Sequence, residues 1–345
     1  MNTLDIRGLR LHLPNTARPV LAGVDLTVGA GETVALVGES GSGKTLTSRS
    51  VLRLLPKGAA TEGEVRVAGQ NVLTMTPEQL RRLRTTTAAM IFQDPRAAIN
   101  PLRRIGDFLT EGVRINAGVS ADAATGRAGE MLEAVGLTTA VLRQYPVQLS
   151  GGMLQRVMIA AALMGDPALV LADEPTTALD VTTQAEVVAL LTELRERFGT
   201  GLLFVTHDLG LAAAISDRVY VMYAGRIVET GPADTLFTRP RHPYTAALLD
   251  STPRLDAPPG RLAAIVGQPP SLREELTGCP FAPRCPLVTS RCTLQAPELL
   301  QVQVQAQVQA QVQGQAQARG RIQAESAHRV SCHHSDRLEE GSTDA

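Results

Sequence analysis

The chain has 345 residues, enough for about two domains with an ample core. Its formal net charge of −1 gives no electrostatic footprint for nucleic acid, which requires a basic face. Apolar runs such as residues 157–164 are too short to span a bilayer, and Met1-Asn2-Thr3-Leu4-Asp5 lacks the basic and apolar regions of a signal peptide, so the expectation is a cytoplasmic protein that reaches a membrane through partners.

In chain order, the apolar run Val34-Ala35-Leu36-Val37 predicts a strand that leads directly into Gly38-Glu39-Ser40-Gly41-Ser42-Gly43-Lys44-Thr45. The glycines let the backbone curl until several N–H groups point at one anion, and the helix expected from Leu46 onward adds its positive N-terminus. Lys44 then reaches the β- and γ-phosphates of a nucleotide, and Thr45 offers a hydroxyl to Mg²⁺. Lys44 and Lys57 are the only lysines in the chain, which makes the one in this loop hard to regard as incidental.

Further along, Leu149-Ser150-Gly151-Gly152-Met153 precedes a helical run over residues 157–164. Ser150 is a natural N-cap, and Gly151 and Gly152 expose amides at a helix start, so this is a second anion site. One nucleotide cannot easily use both sites from one subunit. Next, Ala168-Leu169-Val170-Leu171-Ala172 has the composition of a strand buried on both faces, and it ends in Asp173-Glu174-Pro175. Two carboxylates at the C-terminal end of such a strand sit where open α/β sheets bind ligands. Asp173 is expected to hold Mg²⁺ and Glu174 to polarise the attacking water. Asp180 reads as the N-cap of a helix with the apolar face Val187, Leu190, Leu191, Leu194 and Phe198, ended by Gly199. His207 follows the predicted strand Leu202-Leu203-Phe204-Val205, and residues 219–229, broken at Gly225, read as a hairpin.

The segment Leu149-Ser150-Gly151-Gly152-Met153 resembles the signature motif of ABC-type ATPases. That resemblance implies an α/β fold: a phosphate-loop ATPase cassette with a RecA-like core and a helical subdomain, here over about 95–160, within a cassette of residues 1–230. It implies that two cassettes dimerise head to tail, each ATP lying between one subunit's phosphate loop and the other's Ser150-Gly151-Gly152. Gln93 matches the family's glutamine loop, which touches Mg²⁺ and the attacking water and relays movement to membrane subunits. Thr176-Thr177-Ala178-Leu179-Asp180 matches the loop that crosses the dimer interface, and His207 the switch histidine that contacts the γ-phosphate. The family usually stacks an aromatic on adenine upstream of the phosphate loop, whereas Leu13 stands there and Phe92 is the first aromatic of this chain.

Beyond Gly231 prolines become frequent, marking the exit from the cassette into an accessory domain of residues 231–345. Arg241-His242-Pro243-Tyr244-Thr245 and Pro269-Pro270-Ser271-Leu272 resemble the C-terminal extension of oligopeptide and dipeptide importer ATPases. The resemblance implies an ATPase that drives peptide import with two transmembrane permease subunits, an extracytoplasmic substrate-binding protein and a second, paralogous ABC ATPase subunit, at the cytoplasmic face of the cell membrane. Alternatives are import of nickel chelates or other small solutes, or a soluble ABC ATPase without transport.

The four cysteines, Cys279, Cys285, Cys292 and Cys332, all lie in the accessory region. A disulfide is disfavoured in a reducing compartment, and free thiols are not expected to cluster, so metal binding is the expectation. The spacings are wider than the pairs usual for Zn²⁺, and four thiolates can equally hold a 4Fe-4S cluster. The segment around Cys279 and Cys285 resembles the accessory region of peptide-importer ATPases in which such clusters occur, which favours the cluster over zinc, with His328, His333 and His334 as nearby, less favoured ligands. Finally, Gln occupies every odd position over 301–317, a low-complexity tract read as a flexible polar insertion.

Overall fold

A computed structural model describes residues 2–177, 179–252, 264–302 and 328–336. Of the glutamine tract only residues 301 and 302 fall among them, so the expected insertion over 301–317 lies almost wholly outside the described residues. Twelve strands are described: β1 (Asn2–His12), β2 (Leu21–Gly29), β3 (Thr33–Val37), β4 (Ala60–Val67), β5 (Gln70–Asn71), β6 (Ala88–Ile91), β7 (Leu169–Asp173), β8 (Gly201–Thr206), β9 (Arg218–Tyr223), β10 (Arg226–Pro232), β11 (Leu300–Gln301) and β12 (Arg329–Val330). They form an antiparallel sheet in the order β2-β1-β4-β5 and an eight-stranded sheet in the order β11-β12-β10-β9-β3-β8-β7-β6.

The large sheet is parallel from β9 to β6. Every residue of β3, β7 and β8 is buried, as unbroken apolar composition dictates for strands covered on both faces. Register places Val37 opposite Thr206 and Asp173 opposite Val205, so the loops leaving these three strands open on one edge. That edge is where a parallel sheet of this kind binds ligands.

Between β6 and β7 the chain is helical, over Pro95–Ala98, Ile105–Ala117, Ala121–Ala134 and Gly151–Leu163. Ser120 caps the third by accepting from the Ala123 N–H at 3.3 Å, and Gly118, at φ 69°, ends the second. Leu109, Val113, Leu132, Leu154 and Met158 meet in the core of this unit. After the β9–β10 hairpin the chain does not leave the sheet for good. It returns as β12, which pairs with β10 on one side and β11 on the other. The buried side chains of Tyr244 and Phe281 pack with Val37, Val219 and Val221 of the parallel strands, so the accessory region shares a core with the cassette.

The carboxylate of Glu229 on β10 anchors this return. Fully buried, it accepts from the Arg241 N–H (2.6 Å) and the His242 N–H (3.0 Å), and Oε1 lies 2.7 Å from His328 Nε2. His242 Nδ1 accepts from the Tyr244 N–H at 3.0 Å, capping the helix Pro243–Asp250. Burial holds the His242 imidazole down at about 4 from its ordinary 6.5, against the pull of Glu229. The unfolded chain therefore binds this proton near 6.5 while the folded chain does not until about 4, so stability is lost as pH falls through that window. The expected loss between neutral pH and pH 4 is on the order of 2–3 kcal/mol. Urea midpoints measured from pH 7 downward should fall for the wild type and fall less for His242→Asn, which keeps a capping acceptor; equal slopes would contradict the assignment.

Candidate functional site

The phosphate loop leaves β3 at Gly38, whose φ of 150° and surroundings admit no side chain: a Cβ would lie 2.2 Å from the Met222 carbonyl oxygen. Gly43, at φ 111°, begins the helix Lys44–Val51 with no side-chain cap, so the first N–H groups of the helix face the loop uncapped by any side chain. Ser42 Oγ is buried without a hydrogen-bond partner at the same place. An orphaned hydroxyl beside uncapped amides is the arrangement an incoming polyphosphate oxygen would complete. Lys44 Nζ donates to the carbonyls of Gly38 (2.8 Å) and Glu39 (3.1 Å). Burial lowers its pKa, opposed by the charges of Glu174, Asp173 and Glu39.

Asp173 ends β7 almost fully buried, where Thr45 Oγ1 donates to its Oδ1 at 3.0 Å and Arg49 Nε lies 4.0 Å from Oδ2. Burial raises its pKa, and the Thr45 bond and Arg49 act the other way. A hydroxyl and a carboxylate in contact form a hard oxygen donor set, which suits Mg²⁺. The next residue, Glu174, has φ 48°, a left-handed conformation costing of order 1 kcal/mol for a residue with a Cβ, and its N–H donates to the Val205 carbonyl at 2.9 Å. The turn presents the Glu174 carboxylate to three loops. Gln93 Nε2, after β6, donates to Oε2 at 3.2 Å; Thr177 Oγ1 donates to the same oxygen at 3.0 Å; His207 Nδ1, after β8, lies 3.4 Å from Oε1.

The structure thus brings together Lys44, Thr45, Asp173, Glu174, Gln93 and His207, all singled out from sequence. Thr177, read from the sequence only within the stretch 176–180, was missed as a partner of Glu174. A hydroxyl three positions after a carboxylate is too common a spacing to notice alone. Ser150, Gly151 and Gly152 are not brought to the cradle: among the described residues no hydrogen bond or ion pair joins them to residues 38–45. Exposed Ser150 accepts from the Met153 N–H at 3.3 Å and caps its helix. Gly152 lies so close to Thr183 that a Cβ would meet its Cγ2 at 3.0 Å. Asp180 caps the helix Val181–Phe198 by accepting from the Thr183 N–H at 3.0 Å.

The expectation of an iron–sulfur cluster, or of zinc, at Cys279, Cys285, Cys292 and Cys332 is corrected. Among the described residues, which include all four, no group of His, Cys, Asp or Glu is arranged to hold a metal ion. Burial pushes the Cys279 and Cys285 thiols up and Cys332 to about 11. The neighbouring histidines are engaged elsewhere: His328 with Glu229, His333 Nε2 at 3.0 Å from the Gln295 carbonyl, and His334 Nε2 at 2.9 Å from Thr289 Oγ1.

A glycine-rich phosphate loop on a parallel sheet, with Asp173 and Glu174 at the end of a fully buried strand one in from the edge, defines a phosphate-loop ATPase. Residues 21–177 match the ABC transporter family, and residues 228–292 the oligopeptide/dipeptide transporter C-terminal region. The chain belongs to the family of ABC transporter ATP-binding proteins. It is 46% identical over 307 residues to the "Probable peptide ABC transporter ATP-binding protein y4tR" of Sinorhizobium fredii, covering 87% of this chain and 92% of that one. It is 42% identical over 300 residues to the oligopeptide transport ATP-binding protein OppD of Haemophilus influenzae, covering 86% and 93%. Among solved structures, the dimeric structure of MJ0796, a bacterial ABC transporter cassette, matches with TM-score 0.59 and 27% identity, over 67% of this chain and 98% of that one. Among the described residues no helix is long and apolar enough to cross a membrane.

Proposed function

We propose that this chain hydrolyses ATP to energise an importer of peptides. The observation that carries the reading is the convergence of Gln93, Thr177 and His207 on Glu174, next to the contact of Thr45 with Asp173. Reaction chemistry is in-line attack of water on the γ-phosphate, in which the protein contributes positioning and charge neutralisation. Glu174 orients and polarises the water, held by Gln93 and Thr177, while His207 contacts the γ-phosphate. The loop of Gly38, Glu39, Ser40, Gly41, Ser42 and Gly43 wraps the phosphates, with main-chain N–H groups other than those of Glu39 and Ser42, which are bonded to the Tyr244 hydroxyl and the Glu39 carbonyl, and Lys44 supplies the positive charge. Thr45 and Asp173, with Gln93, would hold Mg²⁺, which supplies charge neutralisation at the phosphate oxygens.

The same reading assigns residues 1–230 to the cassette and 231–345 to the accessory region. Because Ser150, Gly151 and Gly152 do not face their own chain's cradle, they are assigned to a site shared with a second cassette, with Asp180 at the interface. The dimeric MJ0796 cassette supports that arrangement. Two transmembrane permeases, an extracytoplasmic binding protein and a paralogous second ATPase complete the importer, which places this chain at the cytoplasmic face of the membrane. The names of the peptide-transport relatives support the cargo class. Purification from native membranes in mild detergent should recover permease subunits with this chain; recovery of ribosomal proteins in their place would overturn the reading.

A further inference from the structure

Glu39, inside the phosphate loop, is held from the far end of the chain. Its N–H donates to the Tyr244 hydroxyl at 2.8 Å, and its carbonyl accepts from Lys44 Nζ at 3.1 Å and the Ser42 N–H at 3.2 Å. Its carboxylate takes a two-pronged bond from Arg284, with Nη1 to Oε2 at 2.7 Å and Nη2 to Oε1 at 2.9 Å. Arg284 is itself fixed. Its side chain is 4% exposed, Nε donates to the Val266 carbonyl (3.1 Å), Nη2 to the Ile265 carbonyl (3.3 Å) and Nη1 to the Tyr223 hydroxyl (3.3 Å). The guanidinium also lies 5.8 Å from the centre of the Tyr223 ring and 5.9 Å from that of Phe281.

An acidic side chain in a loop that must receive a polyphosphate poses an electrostatic problem. An unpaired carboxylate there, its side chain 23% exposed, would repel the ligand at short range. Pairing with a rigid, permanently charged fork neutralises Glu39 and fixes the direction of its carboxylate before any ligand arrives. A largely buried ion pair contributes little net stability against its desolvation cost, so stability alone does not account for it.

We propose that Arg284 is a positioning residue for ATP binding: by neutralising and immobilising Glu39 it keeps the phosphate loop curled and receptive to the triphosphate, so that the accessory region forms part of the support of the nucleotide site. The inference rests on the reading of residues 38–45 as the ATP site. Its reciprocal consequence is that ATP bound at the loop tightens the segment around Arg284.

The test is calorimetric titration of the full chain with ATP and Mg²⁺, alongside thermal unfolding of each variant. Arg284→Gln is expected to weaken ATP binding about tenfold, as expected on losing a charge-assisted bidentate bond and leaving the carboxylate unpaired. The deficit should shrink at high salt, where the freed carboxylate is screened. Arg284→Lys should recover part of the affinity, and Glu39→Gln combined with Arg284→Gln most of it. Glu39→Gln alone, which keeps the buried guanidinium in place, should bind ATP more tightly than wild type, and this variant decides the matter if Arg284→Gln does not fold. Hydrogen exchange over residues 279–285 should slow when ATP is added to the wild type, a response that a purely structural bond would not give. Wild-type affinity in Arg284→Gln, or a double variant as weak as the single one, overturns the inference while leaving the ATP site intact. A wild-type chain that does not bind ATP overturns both.

Discussion

Glu174→Gln is expected to bind ATP as the wild type does and to hydrolyse it about 10²–10⁴-fold more slowly, the range associated with loss of general acid–base assistance. The substitution keeps the shape of the side chain and can still accept from Gln93 Nε2 and Thr177 Oγ1, so the three loops should stay assembled. What it removes is the negative charge that, on the proposed reading, orients and polarises the attacking water. The left-handed backbone at φ 48° is unaffected by an isosteric change, so stability should move little. Single-turnover measurement with the assembled importer separates the two steps: nucleotide should bind and remain as ATP. Hydrolysis within a few-fold of wild type would remove Glu174 from the chemistry and leave its contacts with Gln93 and His207 as structural.

Lys44→Ala should act on binding itself. Nζ is bonded to the two carbonyls at the start of the loop, from which it can turn to a phosphate without leaving the site. Burial has already removed much of its water and lowered its pKa, so the desolvation cost of the ammonium is largely met before a nucleotide arrives. Loss of a charge-assisted bond of about 1.5–3 kcal/mol predicts an affinity for ATP lower by roughly 10–150-fold. The variant also leaves the Gly38 and Glu39 carbonyls without their donor, so the loop should become more mobile. An unchanged Kd for ATP would show that residues 38–45 are not the phosphate site.

The two variants separate because the site was written into short, chemically dense strings. Gly38 to Thr45 and the pair Asp173 and Glu174 each follow an apolar strand, and a strand's C-terminal end fixes where its next residues point. His207 and Gln93 were legible only through likeness to a family, since neither a lone histidine nor a lone glutamine carries enough pattern. The parallel strands β3, β7 and β8 and the long helix Val181–Phe198 were equally plain, because burial on both faces and a 3.6-residue period leave direct marks on composition.

What escaped the sequence is contact between distant segments. Arg284 and Glu39 are 245 positions apart, and nothing local in either announces the other. Glu229 collects two main-chain N–H groups and His328 from 99 positions away, and β12 adds itself to the cassette's sheet through two residues, too few for any periodicity. The cysteines mislead for the opposite reason. Four thiols gathered at one end of a chain look like ligands, but among the described residues no group of His, Cys, Asp or Glu is arranged to hold a metal ion.

The central claim, that hydrolysis at Glu174 drives peptide import, is tested most directly by reconstituting the complex that co-purifies with this chain into vesicles with its binding protein and following a labelled oligopeptide. The account predicts accumulation that requires ATP and ceases when Glu174→Gln replaces the wild-type chain. ATP hydrolysis with no accumulation of any peptide tested, or accumulation undiminished by that substitution, would contradict it.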